Sequence, residues 1–268
     1  MKANVISLNG THGSDVELPS QFNDAFRPDL IRRAFSAERS RLFQPKGAFP
    51  LAGMQNTAEY YGRRHAWRQT INTGRSRLPR EKLPKGRSGR VLQVPHAVKG
   101  RRAHPPKPQK ILIERINIKE KNAAIRSAIA ATADLRLVKA RGHRFDGALP
   151  LVIEDGFEAV KRVKDARSVL EKCGLSADLE RAKEGRQMRS GRARLRKGGY
   201  RTPCSVLVVF AKDEGIGKAV RNLPGVEAER VDTLTMEELA PGGEAGRLTL
   251  WTKGALAELG KGLYGAMT

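Results

Sequence analysis

Residues 44–110 cannot form a hydrophobic core, and whatever the chain folds into must be arranged around that stretch. It holds eight of the chain's 14 prolines and seven glycines, and from residue 62 to 108 almost no apolar residue recurs at a helical or strand period. Its 16 Lys and Arg stand against only Glu59 and Glu81, a balance of +14. A structureless stretch of this length inside a compact domain is either functional or disordered. Ordering it would cost on the order of 1–2 kcal/mol per residue in backbone entropy, which only many phosphate contacts could offset. The segment is therefore expected to be mobile when free and fixed when bound. Running out and back at roughly 3.3 Å per residue, it reaches at most about 100 Å, far enough to penetrate a large folded RNA.

A second basic run covers residues 181–201, with nine Lys or Arg against Glu184, or +8. The whole chain of 268 residues carries +23, so everything outside these two segments is left at +1. The basic excess belongs to two segments and not to the fold. Its size calls for a polyanionic partner: RNA, DNA or an anionic membrane. No run of 18 apolar residues is present and the first 15 residues lack the stages of a signal peptide, so a soluble, cytosolic protein is expected. Cys173 and Cys204 form no Cys-x-x-Cys pair, which supports neither a disulfide framework nor a thiolate metal site. Both read as ordinary buried or half-buried thiols.

RNA is favoured by what accompanies the charge. Tyr60, Tyr61, His65, Trp67 and His96 are interleaved with arginines, the arrangement that stacking on splayed bases requires. Arginine outnumbers lysine in the segment, which suits bidentate phosphate and base-edge contacts. The plainer alternative is a disordered basic tail. Against it, the segment is internal and both of its ends lead into folded sequence.

The rest reads as an α/β domain. Short strands are expected at 4–8 and 16–18, and a helix from about residue 28 with Pro28 in its first turn. Beyond the loop, Asn117 and Glu120 have capping-box spacing ahead of a helix bearing Ala124, Ile125, Ala128 and Ile129. Strands at 149–153, 205–210, 226–231 and 247–251 alternate with helical stretches at 157–172, 216–222, 236–240 and 254–260, with Thr235 and Glu238 capping the third of these. Alternation of this kind argues for a three-layer α/β/α globular domain with a mostly parallel sheet, interrupted by a long extended basic loop. The expected organisation is residues 1–43 and 111–268 as one domain, 44–110 as its inserted loop, and 181–201 as a basic excursion.

No motif supports catalysis. Gly215-Ile216-Gly217-Lys218 has the position of a phosphate-binding turn, but Lys212 stands where Walker A needs glycine and Ala219 where it needs Ser or Thr. An ordinary strand-to-helix turn is expected there. His12, His65, His96, His104 and His143 show neither metal-ligand spacing nor a Ser-His-Asp set, and each reads as a surface or RNA-facing residue. Glu154 and Asp155 read as helix-capping carboxylates. No catalytic residue, metal site or cofactor is expected, and an α/β enzyme acting on RNA is the weaker alternative. Arg192, Arg194 and Arg196 alternate with Ala193 and Leu195, so an extended strand would put three guanidiniums on one side.

Several stretches are specific. They are Arg27-Pro28-Asp29-Leu30-Ile31-Arg32-Arg33-Ala34, Gly62-Arg63-Arg64-His65-Ala66-Trp67-Arg68-Gln69 and Thr73-Gly74-Arg75-Ser76-Arg77, the basic residues from Arg192 to Pro203, Asp232-Thr233-Leu234, and Trp251-Thr252-Lys253. Over essentially the whole chain, these resemble the L-four family of large-subunit ribosomal proteins, in its archaeal and eukaryotic form. The resemblance implies a structural protein of the large ribosomal subunit in the cytoplasm that binds large-subunit rRNA early in assembly. It implies neighbouring ribosomal proteins as partners, and a loop tip in the wall of the exit tunnel, beside the nascent polypeptide. The rRNA-binding residues it suggests are Arg63, Arg64, His65, Trp67, Arg68, Arg75, Arg77, Arg80, Lys85, Arg87, Arg90, Lys99, Arg101 and Arg102, with Arg186, Arg189, Arg192, Arg194, Arg196 and Lys197 in the second segment. Gln69, Thr73, Gly74, Arg75, Ser76 and Arg77 stand where the family's tunnel-side tip lies, although Thr70-Ile71-Asn72 replaces a shorter basic and glycine pair of the bacterial members.

Overall fold

The computed structural model describes residues 1–196 and 198–265. The chain divides into two compact units, Met1–Leu42 with Ile113–Thr268, and Phe43–Leu112. In the first, β1 (Lys2–Ile6) and β2 (His12–Glu17) form an antiparallel hairpin and α1 (Pro28–Ser40) follows. The second unit contributes β3 (Arg80–Lys82) and β4 (Ser88–Val91). The first unit resumes with α2 (Ile118–Thr132), α3 (Leu135–Ala140), β5 (Leu151–Ile153), α4 (Val163–Lys172) and α5 (Ser176–Glu184). A small ribbon, β6 (Gln187–Met188) and β7 (Tyr200–Arg201), precedes β8 (Leu207–Phe210), α6 (Ile216–Val220), β9 (Glu227–Arg230), α7 (Met236–Leu239), β10 (Thr249–Thr252) and α8 (Lys253–Gly260).

Six strands make one sheet in the order β2-β1-β5-β10-β8-β9, antiparallel only between β1 and β2. Inner strands of a parallel sheet are covered on both faces, which is why β5, β8 and β10 are short, wholly buried runs. Alternate residues feed two cores. Val5, Val152, Trp251 and Val209 pack with Ile31 and Ala34 of α1, Ile125 and Ile129 of α2, Met236 of α7 and Leu256 of α8. Ile6, Ile153, Leu250 and Val208 pack with Leu170 of α4 and Val220 of α6. Each fully buried Leu, Ile or Val contributes roughly 1.5–3 kcal/mol, so the two faces hold the sheet between them. The expected three layers and mostly parallel sheet are present.

Local details depart from expectation where side chains chose other partners. The Asn117–Glu120 capping box does not form: the Asn117 side chain makes no cap bond, and Glu120 instead accepts from Arg33 at 3.1 Å. The box at Thr235 and Glu238 does form, with the Thr235 N–H donating to Glu238 Oε2 at 2.8 Å. The stretch 157–172 is not one helix, because a 3-10 turn at Asp155–Phe157 is separated from α4. Cys173 is buried, which pushes its thiol up to about 11 and leaves it unreactive.

Two further ties shape the first unit. Arg247 is fully buried and spreads its guanidinium over the Ser205 carbonyl (3.0 Å), the Glu238 carbonyl (2.8 Å) and Glu227 Oε2 (2.5 Å), joining β8, β9 and α7. At the end of α1, the buried Ser40 hydroxyl donates to the Ala37 carbonyl at 2.7 Å and accepts the Glu114 N–H at 2.9 Å. The chain therefore leaves the first unit and rejoins it at adjacent points.

Candidate nucleic-acid interface

The inserted unit is organised by backbone and polar groups in place of a core. Only Ala58, Thr70 and Leu92 are buried in it among the described residues. β3 and β4 pair antiparallel, Glu59 bridges to Arg80 through two backbone bonds of 3.1 and 3.2 Å, and the Leu92 N–H reaches the Pro79 carbonyl at 3.1 Å. The Gln93 amide donates to Asn56 Oδ1 and to the Ala58 carbonyl, each at 3.1 Å. This ribbon was not expected from a segment without strand periodicity; it forms because main-chain bonds do not depend on which side chains alternate. Gly53 lets two backbones nearly touch, since a Cβ there would lie 2.6 Å from the Arg101 nitrogen and the Gly100 carbonyl.

The two carboxylates of the segment are both used internally. Glu59 accepts from Lys82 at 2.5 Å and from the Tyr61 hydroxyl at 2.9 Å, and these hydrogen bonds hold its pKa below the usual carboxylate range. Glu81 lies 4.0 Å from Arg90. Two arginines also serve the loop itself: Arg68 donates to the Leu83 carbonyl and Arg80 to Ser76 Oγ, both at 2.8 Å, and both side chains are half-buried. The remaining candidates, Arg63, Arg64, His65, Arg75, Arg77, Lys85, Arg87, Lys99, Arg101 and Arg102, are exposed and take part in no ion pair among the described residues. Gln69, Thr73, Gly74 and Ser76 are exposed beside them. Trp67 is 76% exposed, yet one edge is covered, because a Cβ on Gly86 would sit 2.5 Å from the indole nitrogen. The indole is held in place and open, as a stacking platform must be.

Six non-glycine residues of this unit, His65, Arg68, Asn72, Lys85, Gln93 and Lys99, have positive φ. Such a conformation costs roughly 1–2 kcal/mol at each site, and concentrations of it mark segments shaped for a partner.

The second basic run is a small ribbon. β6 pairs with β7, the Arg189 N–H donates to the Gly199 carbonyl at 2.7 Å, and the Arg186 guanidinium lies 4.4 Å from the Tyr200 ring centre. Between the strands the chain makes a 3-10 turn at Gly191–Leu195, so Arg192, Arg194 and Arg196 do not line one side of a strand. The glycines at its ends favour a tight turn over extension. Arg186, Arg189, Arg192, Arg194 and Arg196 are exposed; Lys197 lies outside the described residues.

The places where an enzyme of this fold would bind substrate are filled from within. Open parallel sheets bind ligands beyond the carboxyl ends of their strands. There the buried Glu158 accepts the Ala211 N–H (2.9 Å), the Lys212 N–H (3.1 Å) and the Thr252 hydroxyl (2.7 Å). Asp213 accepts the N–H groups of Gly215 (3.0 Å) and Gly217 (3.3 Å), occupying the phosphate position of the Gly215-Ile216-Gly217 turn with its own carboxylate. Asp155 caps a helix, but it is α8, through the Gly254 N–H at 2.6 Å.

His143 corrects an expectation. It is buried and not at the surface, with Nδ1 3.1 Å from Asp178, which also accepts from Ser205 at 2.6 Å and Arg181 at 2.8 Å. Serine and histidine both bond the aspartate and not one another, so this cluster has no activated nucleophile. Among the described residues no group of His, Cys, Asp and Glu is arranged to hold a metal, and no helix is long and apolar enough to cross a membrane.

The net positive charge lies in two excursions from a nearly neutral α/β body. The profile of the ribosomal protein L4/L1 family matches residues 16–262. The chain belongs to that family. The large ribosomal subunit protein uL4 of Archaeoglobus fulgidus is 48% identical over 263 residues, covering 98% of this chain and 100% of the relative. Those of Methanocaldococcus jannaschii and Methanoculleus marisnigri are each 46% identical, over 97% of this chain and 98% of their own length. A member of this family is a structural ribosomal protein and not an enzyme. Sequence reasoning missed the residues that organise the family member's loop, Asn56, Glu59 and Gln93. A signal was available: a carboxylate kept among so many cations is there for a partner within the loop.

Proposed function

We propose that this protein is a structural constituent of the large ribosomal subunit in the cytoplasm, and that it binds large-subunit rRNA through residues 44–110 and 181–201. In this reading Arg63, Arg64, Arg75, Arg77, Lys85, Arg87, Lys99, Arg101 and Arg102 neutralise phosphates, and the arginines from Arg186 to Arg196 do the same from the second ribbon. Trp67 and His65 stack on unpaired bases. The turn with Gln69 and Thr73 to Arg77 forms part of the exit-tunnel wall beside the nascent polypeptide, and binding occurs early in subunit assembly.

The observation that carries the reading is the row of exposed, unpaired cations on a loop whose only two acids are already engaged. Such a surface is electrostatically unfavourable until a polyanion covers it. The test is crosslinking of the full-length protein to total cellular RNA, followed by sequencing of the bound RNA and mapping of the crosslinked peptides. Crosslinks concentrated on large-subunit rRNA, and on residues 62–104 and 186–201, are expected. Crosslinks scattered equally over all the RNA would reduce the protein to a nonspecific basic binder.

A further inference from the structure

At the root of the inserted unit, the outgoing and returning chains border an open cavity of about 840 Å³ that none of the residues assigned above explains, Arg102 excepted. The Ala48 N–H donates to the Pro106 carbonyl at 3.0 Å, and Gly47 lies so close to the Pro108 ring that a Cβ would meet it at 2.7 Å. These contacts clamp the two chains together. Pro105, Pro106 and Pro108 stiffen the returning one, because their φ angles are fixed and they lose little entropy on binding. The Lys110 N–H closes a turn on the Lys107 carbonyl at 3.2 Å, which brings both of these lysines to the cavity.

The lining has one chemical character. Lys46, Arg102, Lys107 and Lys110 contribute four cations, His104 an imidazole, and Pro105 and Pro106 flat apolar faces, with no carboxylate among the lining residues. None of the four cations forms an ion pair among the described residues. A volume of this size lies in the range of cavities that take drug-sized molecules, roughly 300–1,000 Å³, and far exceeds what a lone oxyanion needs. His104 is exposed alongside the four cations, and Pro105 and Pro106 are half-buried, so the site offers a nucleotide cations for its phosphate beside an imidazole and two proline faces for its base.

We propose that this cavity is a subsite for one unpaired nucleotide of the bound RNA, splayed out of its stack, with its base against His104 and the Pro105–Pro106 faces and its phosphate held by Lys46, Arg102 and Lys107. The subsite rests on the RNA-binding reading above and deepens it. It fixes the root of the loop to one position in the RNA, whereas the phosphate contacts farther out carry no sequence information.

The experiment is ultraviolet crosslinking of the full-length protein to large-subunit rRNA, with mass spectrometry of nuclease-trimmed peptides. A single-nucleotide adduct on residues 102–110 is expected, together with adducts elsewhere in 62–101. His104→Ala is expected to abolish the 102–110 adduct and weaken rRNA binding about tenfold, as loss of one stacked base does, while adducts at 62–101 persist. Adducts at 62–101 with none at 102–110 would overturn the subsite and leave the RNA-binding reading intact. No adduct anywhere, with no measurable affinity for rRNA, would remove both. Titration with adenosine and uridine monophosphates forms the second arm: micromolar binding of either free nucleotide, lost in His104→Ala, would show a small-molecule site and overturn the RNA assignment. An acidic peptide such as hexaglutamate displacing the rRNA from 102–110 alone would overturn it in favour of a protein ligand.

Discussion

Asp178 illustrates how a buried ionised group can hold a fold together. Burial alone would push its carboxyl up, yet hydrogen bonds from His143, Arg181 and Ser205 bring it below the ordinary aspartate range. A depressed folded-state value means stability that is fully present above the unfolded value near 3.9 and lost as pH falls through the folded one. The urea midpoint should therefore show no loss from this group between pH 7 and about 4, and should fall below that; Asp178→Asn should make the fall below pH 4 shallower by removing this group's share. Asp178→Ala leaves His143, Arg181 and Ser205 all without their acceptor and should cost about 3–5 kcal/mol at pH 7, read from urea unfolding followed by circular dichroism. None of this was legible in the sequence. His143, Asp178 and Ser205 are far apart in the chain, a lone His gives no sign of its depth, and only the fold brings Asp178 of α5 to both His143 and Ser205, just ahead of β8.

At the scale of elements, the sequence was readable wherever burial imposed a period. The apolar run at 205–210 and the Thr235–Glu238 cap declared β8 and α7, because a strand covered on both faces and a two-way cap each demand particular residues. The α3 helix buries Val138 alone, and α5 only Asp178 and Ala182, so neither shows an apolar stripe. The β3–β4 ribbon shows still less, since Arg80, Lys82 and Ser88 fill three of its four paired positions and only Val91 is apolar. What sequence could not reveal there should also be what is least stable. Elements with few buried apolar contacts open at low free energy. In hydrogen exchange on the free protein, the amides of Glu59, Arg80 and Leu92 should exchange orders of magnitude faster than those of Val208 and Val209, and should slow on addition of rRNA. Equal protection of the two sets in the free protein would contradict this account of the loop.

Across the whole molecule, +22 of the +23 net charge sits on two segments, leaving the α/β body nearly neutral. Affinity and fold should therefore respond differently to salt. If even roughly six to ten of these cations meet phosphates, rRNA affinity should drop at least about 10³- to 10⁵-fold between 50 and 200 mM salt, while the urea midpoint of the body barely moves. Changing Arg75, Arg77 and Arg87 to Ala should weaken binding and flatten the salt slope by about three contacts' worth, without altering the unfolding curve. Arg80 is left out of that set because it also braces Ser76. If the slope is unchanged, those three guanidiniums do not touch phosphate.

The tie between Ser40 and Glu114 bears on how freely this loop can vary. Because the two chain ends meet at a fixed latch, the body registers the insertion only through the entropy of closing it, which grows with the logarithm of length. Shortening residues 62–78 by ten would alter that closure by about 0.1 kcal/mol, less than the thermal energy. Descendants of this chain can lengthen, trim or rewrite residues 62–78 with almost no penalty to folding of the α/β body, so the shape of that stretch is free to follow whatever it binds.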